Sequence, residues 1–375
     1  MHDLGIFNRM MWMLVVVTIK IILNFEAAKP MRILVVRFRQ MGDAILATPL
    51  LSTLHQCYPD AEIDFVLNER IAPLFEGHPA IHRIITFSDD ERKNIFTYMK
   101  KVWKTVRQIH YDAIIDMRST VNTILFPLFS LRSHWRIGIR KPYTWGVLNH
   151  RYEGCEDYES MIDHNLRLAE PLNPTVKDRN LTLFITEKEK LDFREYMAKQ
   201  GIDFNRPVIL VGVTAKLEHK TWPEDRMTEV LNRLIESYPS IQLIFNYAPG
   251  READNAHRIF EALTADKSSV FLNIEAKSPR QLAAMSANCT AYFGNEGGAR
   301  HIVHAMGRPS IVVCSPMASK KTWLPSDTDI PAWGIAASDI ANTQGLTYKQ
   351  QYNLVTTDLV WTELQRFLQQ YILEC

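Results

Sequence analysis

The sequence predicts two doubly wound α/β domains in tandem, and three observations lead to that fold class. From Met31 onward, short β-branched runs alternate with amphipathic stretches of helical length. The runs are predominantly apolar with little alternation, as expected of strands covered on both faces of a parallel sheet. At 375 residues the chain exceeds one ordinary core, and its rhythm pauses once, in the turn-rich NPTVKDRNLTLFIT at 173–186.

In the first half, RILVVRF (32–38), EIDFVL (62–67), RIITF (83–87), DAIIDM (112–117) and HWRIGI (134–139) read as strands. Helices are expected at 43–57, 91–109, 119–131 and 158–172. TEKE (186–189) has the Thr-x-x-Glu spacing of a capping box and opens the next helix. The second half repeats the pattern with strands at 207–213, 242–247, 270–274, 290–295 and 310–315. Its helices are expected at 224–238, 251–264, 279–287, 297–306 and 357–373.

Composition excludes several classes. Hydrophobic content of 46% and charged content of 23% belong to a soluble globular protein. A net charge of +1 argues against nucleic acid as a partner. Five scattered cysteines without CxxC spacing read as thiols of a reducing compartment rather than as a disulfide frame or zinc site. The first 30 residues differ: MMWMLVVVTIKIIL (10–23) is apolar but short for a membrane span and carries Lys20. An interfacial anchor, an uncleaved signal-anchor, and a start codon upstream of a true start at Met31 all remain open.

In open α/β sheets ligands sit beyond the carboxyl ends of the strands, so the strand-to-helix turns are the places to seek function. RQMGD (39–43) follows the first strand with a single glycine, which disfavours dinucleotide binding. Asp43 there reads as a helix cap or as a general base, and the start of a helix favours an ionised carboxylate. Thr48-Pro49 either kinks that helix or starts a new one. DMRST (116–120) ends another strand and offers Asp116 and Arg118, while WRIGIRKPY (135–143) adds cations including Arg140.

In the second half, GNEGGARH (294–301) joins a strand to a helix. Gly297 and Gly298 allow close backbone approach, and free amides at a helix start bind phosphate. Arg300 and His301 would add positive charge, and Glu296 would accept from a sugar hydroxyl or cap the helix. GVTAKLEHKTWP (212–223) places Thr214, Lys216, His219, Lys220 and Trp222 in one loop, suited to an anion with Lys as a point charge. In NYAPGREADNAH (246–257), Glu252 is placed to hold ribose hydroxyls. GxSxG, HExxH and GxxxxGK[ST] are all absent, so no metal site is expected.

Taken in order, RILVVRFRQMGDAILATPLLSTLHQCYPDAEIDFV, GVTAKLEHKTWP and GNEGGARHIVHAMGRPSIVV resemble glycosyltransferase family nine, the lipopolysaccharide heptosyltransferases, over about residues 31–375. The resemblance implies a GT-B fold divided into an extension (1–30), an acceptor domain (31–178), a nucleotide-sugar domain (179–355) and a final helix (356–375) packing back on the first domain. It implies Asp43 as catalytic base and Lys220 on the donor phosphates. Thr214, Trp222, Glu252, Glu296, Gly297, Gly298, Arg300 and His301 would surround the donor. Gly42, Asp116, Arg118 and Arg140 would face the acceptor. The family's usual turn reads Asp-Thr-Gly-x-x-His, whereas this chain has Glu-Gly-Gly-Ala-Arg-His, which bears on the sugar contacts.

The expected reaction is an inverting, metal-independent and cofactor-free transfer of a sugar, heptose from ADP-heptose, onto a lipopolysaccharide-core or other glycolipid acceptor. It would occur in the cytoplasm at the inner face of the inner membrane, with peripheral membrane contact. The competing readings are a GT-B sugar-nucleotide epimerase and a catalytically silent sugar-nucleotide or glycolipid binding protein.

Overall fold

Among the described residues twelve strands form two six-stranded sheets, in the orders β3-β2-β1-β4-β5-β6 and β12-β11-β10-β7-β8-β9, and every pairing is parallel. The computed structural model describes residues 30–38, 40–155, 159–316 and 318–373. The expected extension 1–30 lies, apart from Pro30, outside the described residues.

The first sheet comprises β1 (Arg32–Val36), β2 (Glu62–Asn68), β3 (Arg83–Phe87), β4 (Ala113–Asp116), β5 (Trp135–Ile139) and β6 (His150–Tyr152). The second comprises β7 (Val208–Gly212), β8 (Gln242–Phe245), β9 (Val270–Phe271), β10 (Ala291–Asn295), β11 (Ser310–Val313) and β12 (Ala332–Ile335). The central strands β1 and β7 are almost wholly buried, as continuous apolar runs require. In each sheet the strand order reverses beside a central strand, and that switch point opens a crevice at the carboxyl ends.

The segment expected as one helix at 43–57 is two. Met41–Ile45 forms a short helix, and Thr48–Cys57 begins anew with Pro49 in its first turn. Pro49 has no amide to donate, and the Thr48 hydroxyl donates instead to the Ile45 carbonyl at 2.8 Å. The expected helix at 119–131 shrinks to Leu125–Leu128. The capping box at Thr186 is present, with Glu189 reciprocating, and opens the helix Glu187–Lys199.

The two halves are tied together. The connecting segment lies along the helix Thr48–Cys57, with the Asp178 and Thr182 amides donating to Thr53 and Thr48 hydroxyls at 2.9 and 3.0 Å. Arg280 of the second half donates to the Pro73 and Glu76 carbonyls of the first at 2.8 and 3.0 Å and pairs with Glu189. Apolar packing is continuous across the junction, where Ala44 and Ile45 share one buried cluster with Ile302 and Val303.

The final helix corrects an expectation. Thr357–Leu368 packs on the second domain, not back on the first: Val360, Leu364, Phe367 and Leu368 are buried with Val230, Leu231, Leu234 and Ile311. Its apolar stripe covers the edge beside β11 and β12.

Candidate functional site

Asp43 lies inside the first turn of Met41–Ile45, at the carboxyl end of β1. The N-cap is Gln40, so Asp43 is not the capping residue. Its Oδ1 accepts from Arg37 Nη2 at 3.0 Å in an almost buried ion pair. Arg37 also donates through Nη1 to the Met117 carbonyl at 3.3 Å, so the guanidinium is braced by β4 before it reaches the carboxylate. Arg37 carries no motif that marks it in the sequence. The signal was a lone cation closing an otherwise apolar strand.

Gly42 explains how the two domains approach. A Cβ at Gly42 would stand 2.8 Å from His301 Cδ2, across the interface. A Cβ at Gly298 would stand 2.8 Å from Met41 Cε, whose flexible end can give way. Asp43 is thus held next to the helix Gly298–Ala305 of the opposite domain.

On that side, Gly297 has extended backbone and a Cβ there would meet nothing within 4 Å. Its contribution is open space at a helix N-terminus, not a left-handed turn. Glu296 is buried and accepts from the Ser315 amide at 3.1 Å. His301 is fully buried, and burial, then the nearby charges of Arg300, His304 and Lys220, hold its pKa well below the ordinary histidine value. His301 is therefore neutral at physiological pH. Lys220 is half-buried, and its ammonium forms no ion pair or hydrogen bond among the described residues. From the neighbouring loop it is the cation beside this turn that remains available to an anion.

Arg300 departs from its expected place. Its side chain is fully buried, with Nη2 donating to the Trp323 carbonyl at 2.8 Å and 3.3 Å from His301 Nε2, while Nε and Nη1 have no partner. Burial lowers its pKa, and Glu296 partly offsets this. Arg300 acts on the turn through its field and by bracing His301, rather than by touching a ligand.

Trp222 is also corrected. Its side chain has no exposure, its indole nitrogen donates to the Val355 carbonyl at 3.1 Å, and its amide donates to Asn295 Oδ1 at 2.7 Å. An indole satisfied inside the core is unavailable to a donor. Trp222 instead pins the loop carrying Lys220 to the last residue of β10. Asn295, which sequence reasoning missed, is the other half of that pin: its Nδ2 donates to the Gly212 carbonyl at 2.9 Å. A single polar residue ending a buried strand was the available clue.

Thr214 is buried and accepts from Asn255 Nδ2 at 3.2 Å. Glu252 is half-buried at the start of the helix Arg251–Ala262, where its Oε2 accepts from the Ala248 amide at 3.3 Å. The turn before it needs Gly250, whose φ is +86°.

The expected acceptor residues divide. Asp116 is fully buried and presents no surface to an acceptor. It accepts from the Arg118 and Ser119 amides at 3.1 and 2.8 Å, and burial pushes its carboxyl up to about 6. Its work is to shape the turn that carries Arg118, whose guanidinium donates to the Phe38 carbonyl at 3.3 Å beside the Asp43 turn. Arg140 is exposed and pairs with Glu153 at 3.1 Å. Elsewhere, Cys155, Glu159 and His164 bring ligand-type atoms within 4.8 Å of one another, but Arg167 already engages Glu159. The group is an internal polar network.

Two Rossmann-like domains that meet through the carboxyl ends of their sheets form the GT-B architecture of glycosyltransferases. The chain is similar over 297 residues to lipopolysaccharide heptosyltransferase 2 of Escherichia coli strain K12, at 25% identity, with 76% of this chain and 83% of that one covered. The structure of E. coli ADP-heptose lps heptosyltransferase II superposes with a TM-score of 0.71 at 24% identity, covering 91% of this chain and 99% of that one. A family 9 glycosyl transferase from Veillonella parvula superposes at 0.79 with 16% identity, covering 91% and 98%. The model of glycosyltransferase family 9 (heptosyltransferase) matches residues 99–343, well over half the chain. This chain belongs to that family and is a glycosyltransferase.

Proposed function

We propose that the chain transfers heptose from ADP-heptose to a lipopolysaccharide-core acceptor, with inversion at the anomeric carbon, at the cytoplasmic face of the inner membrane. The observation that supports this reading is the close approach of Gly42 to His301, which sets the Arg37-paired carboxylate of Asp43 beside the start of the helix Gly298–Ala305. The relatives named as heptosyltransferases supply the sugar and the acceptor class.

In this reading Asp43 takes the proton of the acceptor hydroxyl, whose oxygen attacks the anomeric carbon from the face opposite the diphosphate. The C–O bond to the diphosphate breaks, and ADP leaves with the bonding electrons. Lys220 and the amides at the start of Gly298–Ala305 receive the growing negative charge. Arg37 orients the carboxylate and must yield one of its contacts as the acceptor enters. General base catalysis supplies about 10²–10⁴-fold. Glu252 takes the ribose, Thr214 and Glu296 line the donor side, and Arg118 faces the acceptor.

The test is ADP release from ADP-heptose with and without an inner-core acceptor, together with the anomeric configuration of the product by NMR. Acceptor-dependent release with an inverted linkage is expected. Release that ignores the acceptor, or a retained configuration, contradicts the proposal.

A further inference from the structure

We infer that the carboxyl edge of the first domain carries a docking surface for an anionic phospholipid bilayer, centred on the helix Ile95–Gln108. The inference rests on the lipid-linked acceptor proposed above, and it names the face that would present that lipid.

The helix has three stripes. Tyr98, Val102 and Val106 are buried against Phe38, Phe87 and Phe126, which is the ordinary core-facing stripe of a surface helix. Phe96, Met99 and Trp103, at spacings of three and four, form a second apolar stripe that faces outward. Phe96 is 82% exposed and Trp103 52%. Lys100, Lys104 and Arg107 follow on the adjoining flank, all exposed, and none forms an ion pair among the described residues. The segment 95–108 contains no acidic residue. A soluble helix has no use for a second apolar stripe, and aromatic residues beside unpaired cations match the interfacial zone of a bilayer with anionic headgroups.

The position of this helix ties it to the reaction. It follows β3, so its first turn lies at the same sheet edge as Asp43. Arg92, just before it, stacks 4.9 Å over the Phe38 ring, and Phe38 lies two residues past β1. Two further exposed side chains share that edge: Val121 after β4, 69% exposed, and Trp145 after β5, 77% exposed. Tyr98 donates to the Asn122 carbonyl at 3.0 Å and Tyr143 to the Ser119 carbonyl at 2.9 Å, so these loops and the helix form one connected rim. A bilayer seated there would leave an acceptor's sugar end within reach of the Asp43 turn while its acyl chains stay in the membrane.

The experiment is co-sedimentation of the full chain with phosphatidylcholine vesicles, with and without phosphatidylglycerol, in the absence of donor and acceptor. The natural sequence should bind the anionic vesicles. The triple variant Lys100→Gln/Lys104→Gln/Arg107→Gln should bind them about a hundredfold more weakly, at roughly fivefold per charge. Phe96→Ser/Trp103→Ser should lower binding to both vesicle types by at least about tenfold. Both variants should keep the natural turnover on a deacylated, water-soluble acceptor and lose it on a vesicle-embedded one. Failure of the transferase reading would show as no turnover on the soluble acceptor even for the natural sequence, independently of vesicle binding. Unchanged vesicle binding by both variants would overturn the inference. So would self-association of the natural chain through this face in lipid-free buffer, abolished by Phe96→Ser/Trp103→Ser.

Discussion

The turn after β1 and the turn after β10 each border the central switch point of one of two sheets of the same strand order, yet they solve opposite electrostatic problems. The Asp43 turn is self-contained: its acid is already paired with Arg37, and Arg37 is already braced by a backbone carbonyl. The Glu296–His301 turn is left short of negative charge, with two nitrogens of Arg300 and one of His301 unpartnered and Lys220 available. One topology therefore serves two roles because the loops differ while the sheets do not. In the proposed reaction the paired acid acts on a neutral hydroxyl, and the Lys220 ammonium meets the diphosphate.

That contrast can be broken first at its support. Trp222→Ala removes a fully buried indole and should destabilise the second domain by about 3–5 kcal/mol, read as a lower urea midpoint. Trp222→Phe keeps most of the packing and loses mainly the bond to Val355, about 1 kcal/mol. If both variants unfolded like the natural chain, the buried Trp222 indole would not support the Lys220 loop.

Removing the available cation should come next in size. Lys220→Ala should lower kcat by about 10²–10³-fold with the fold intact, as loss of one leaving-group contact does elsewhere. Arg37→Lys sharpens the other side: the amine cannot reproduce the two-point brace, so turnover should fall while ADP affinity stays unchanged. A loss of ADP affinity in Arg37→Lys would erase the division of labour between the turns.

Gly42→Ala places a methyl against the His301 ring and should cost about 1–3 kcal/mol of stability. Gly298→Ala meets only the end of Met41 and should cost less. Comparing ADP-heptose turnover in the two variants checks the order.

The most gradual expectation concerns pH. Burial, first of the causes, holds His78 and His164 at about 4 and His304 at about 3. Each returns to about 6.5 on unfolding, so the unfolded chain binds more protons. Their contribution is complete above pH 6.5 and is lost as pH falls towards about 4, at about 1.4 kcal/mol per pH unit per group. Asp116, raised to about 6, acts in the other direction: its contribution is complete below the usual carboxylate value and is lost as pH rises through 6. The histidines outnumber it, so the urea midpoint should fall between pH 7 and pH 5. A flat or rising midpoint would contradict buried neutral histidines.

The strands were legible because a buried parallel strand is a continuous apolar run, and β3 matches its expected bounds residue for residue. The edge strands β6 and β12 were not. HRY has no apolar run, and PAWGIA is broken by Pro331 and Gly334. The helix Tyr348–Leu354 is too polar to show a stripe, though Thr347 and Gln350 carried a capping-box signature. At the site, residue type and position in a turn singled out Asp43, Lys220 and Glu296. Burial was invisible to that reasoning: Trp222, Arg300 and Asp116 look like ligand residues in a loop and prove to be internal supports. Arg37 and Asn295 went unremarked because their roles depend on partners about 80 residues away in sequence.

The central claim is that the acid of one domain acts on a donor held by the other. Asp43→Asn tests it most directly, with ADP-heptose affinity by calorimetry and acceptor-dependent ADP release measured on the same preparation. The account predicts unchanged affinity and turnover lower by about 10²–10⁴-fold. Near-normal turnover with affinity intact would contradict it.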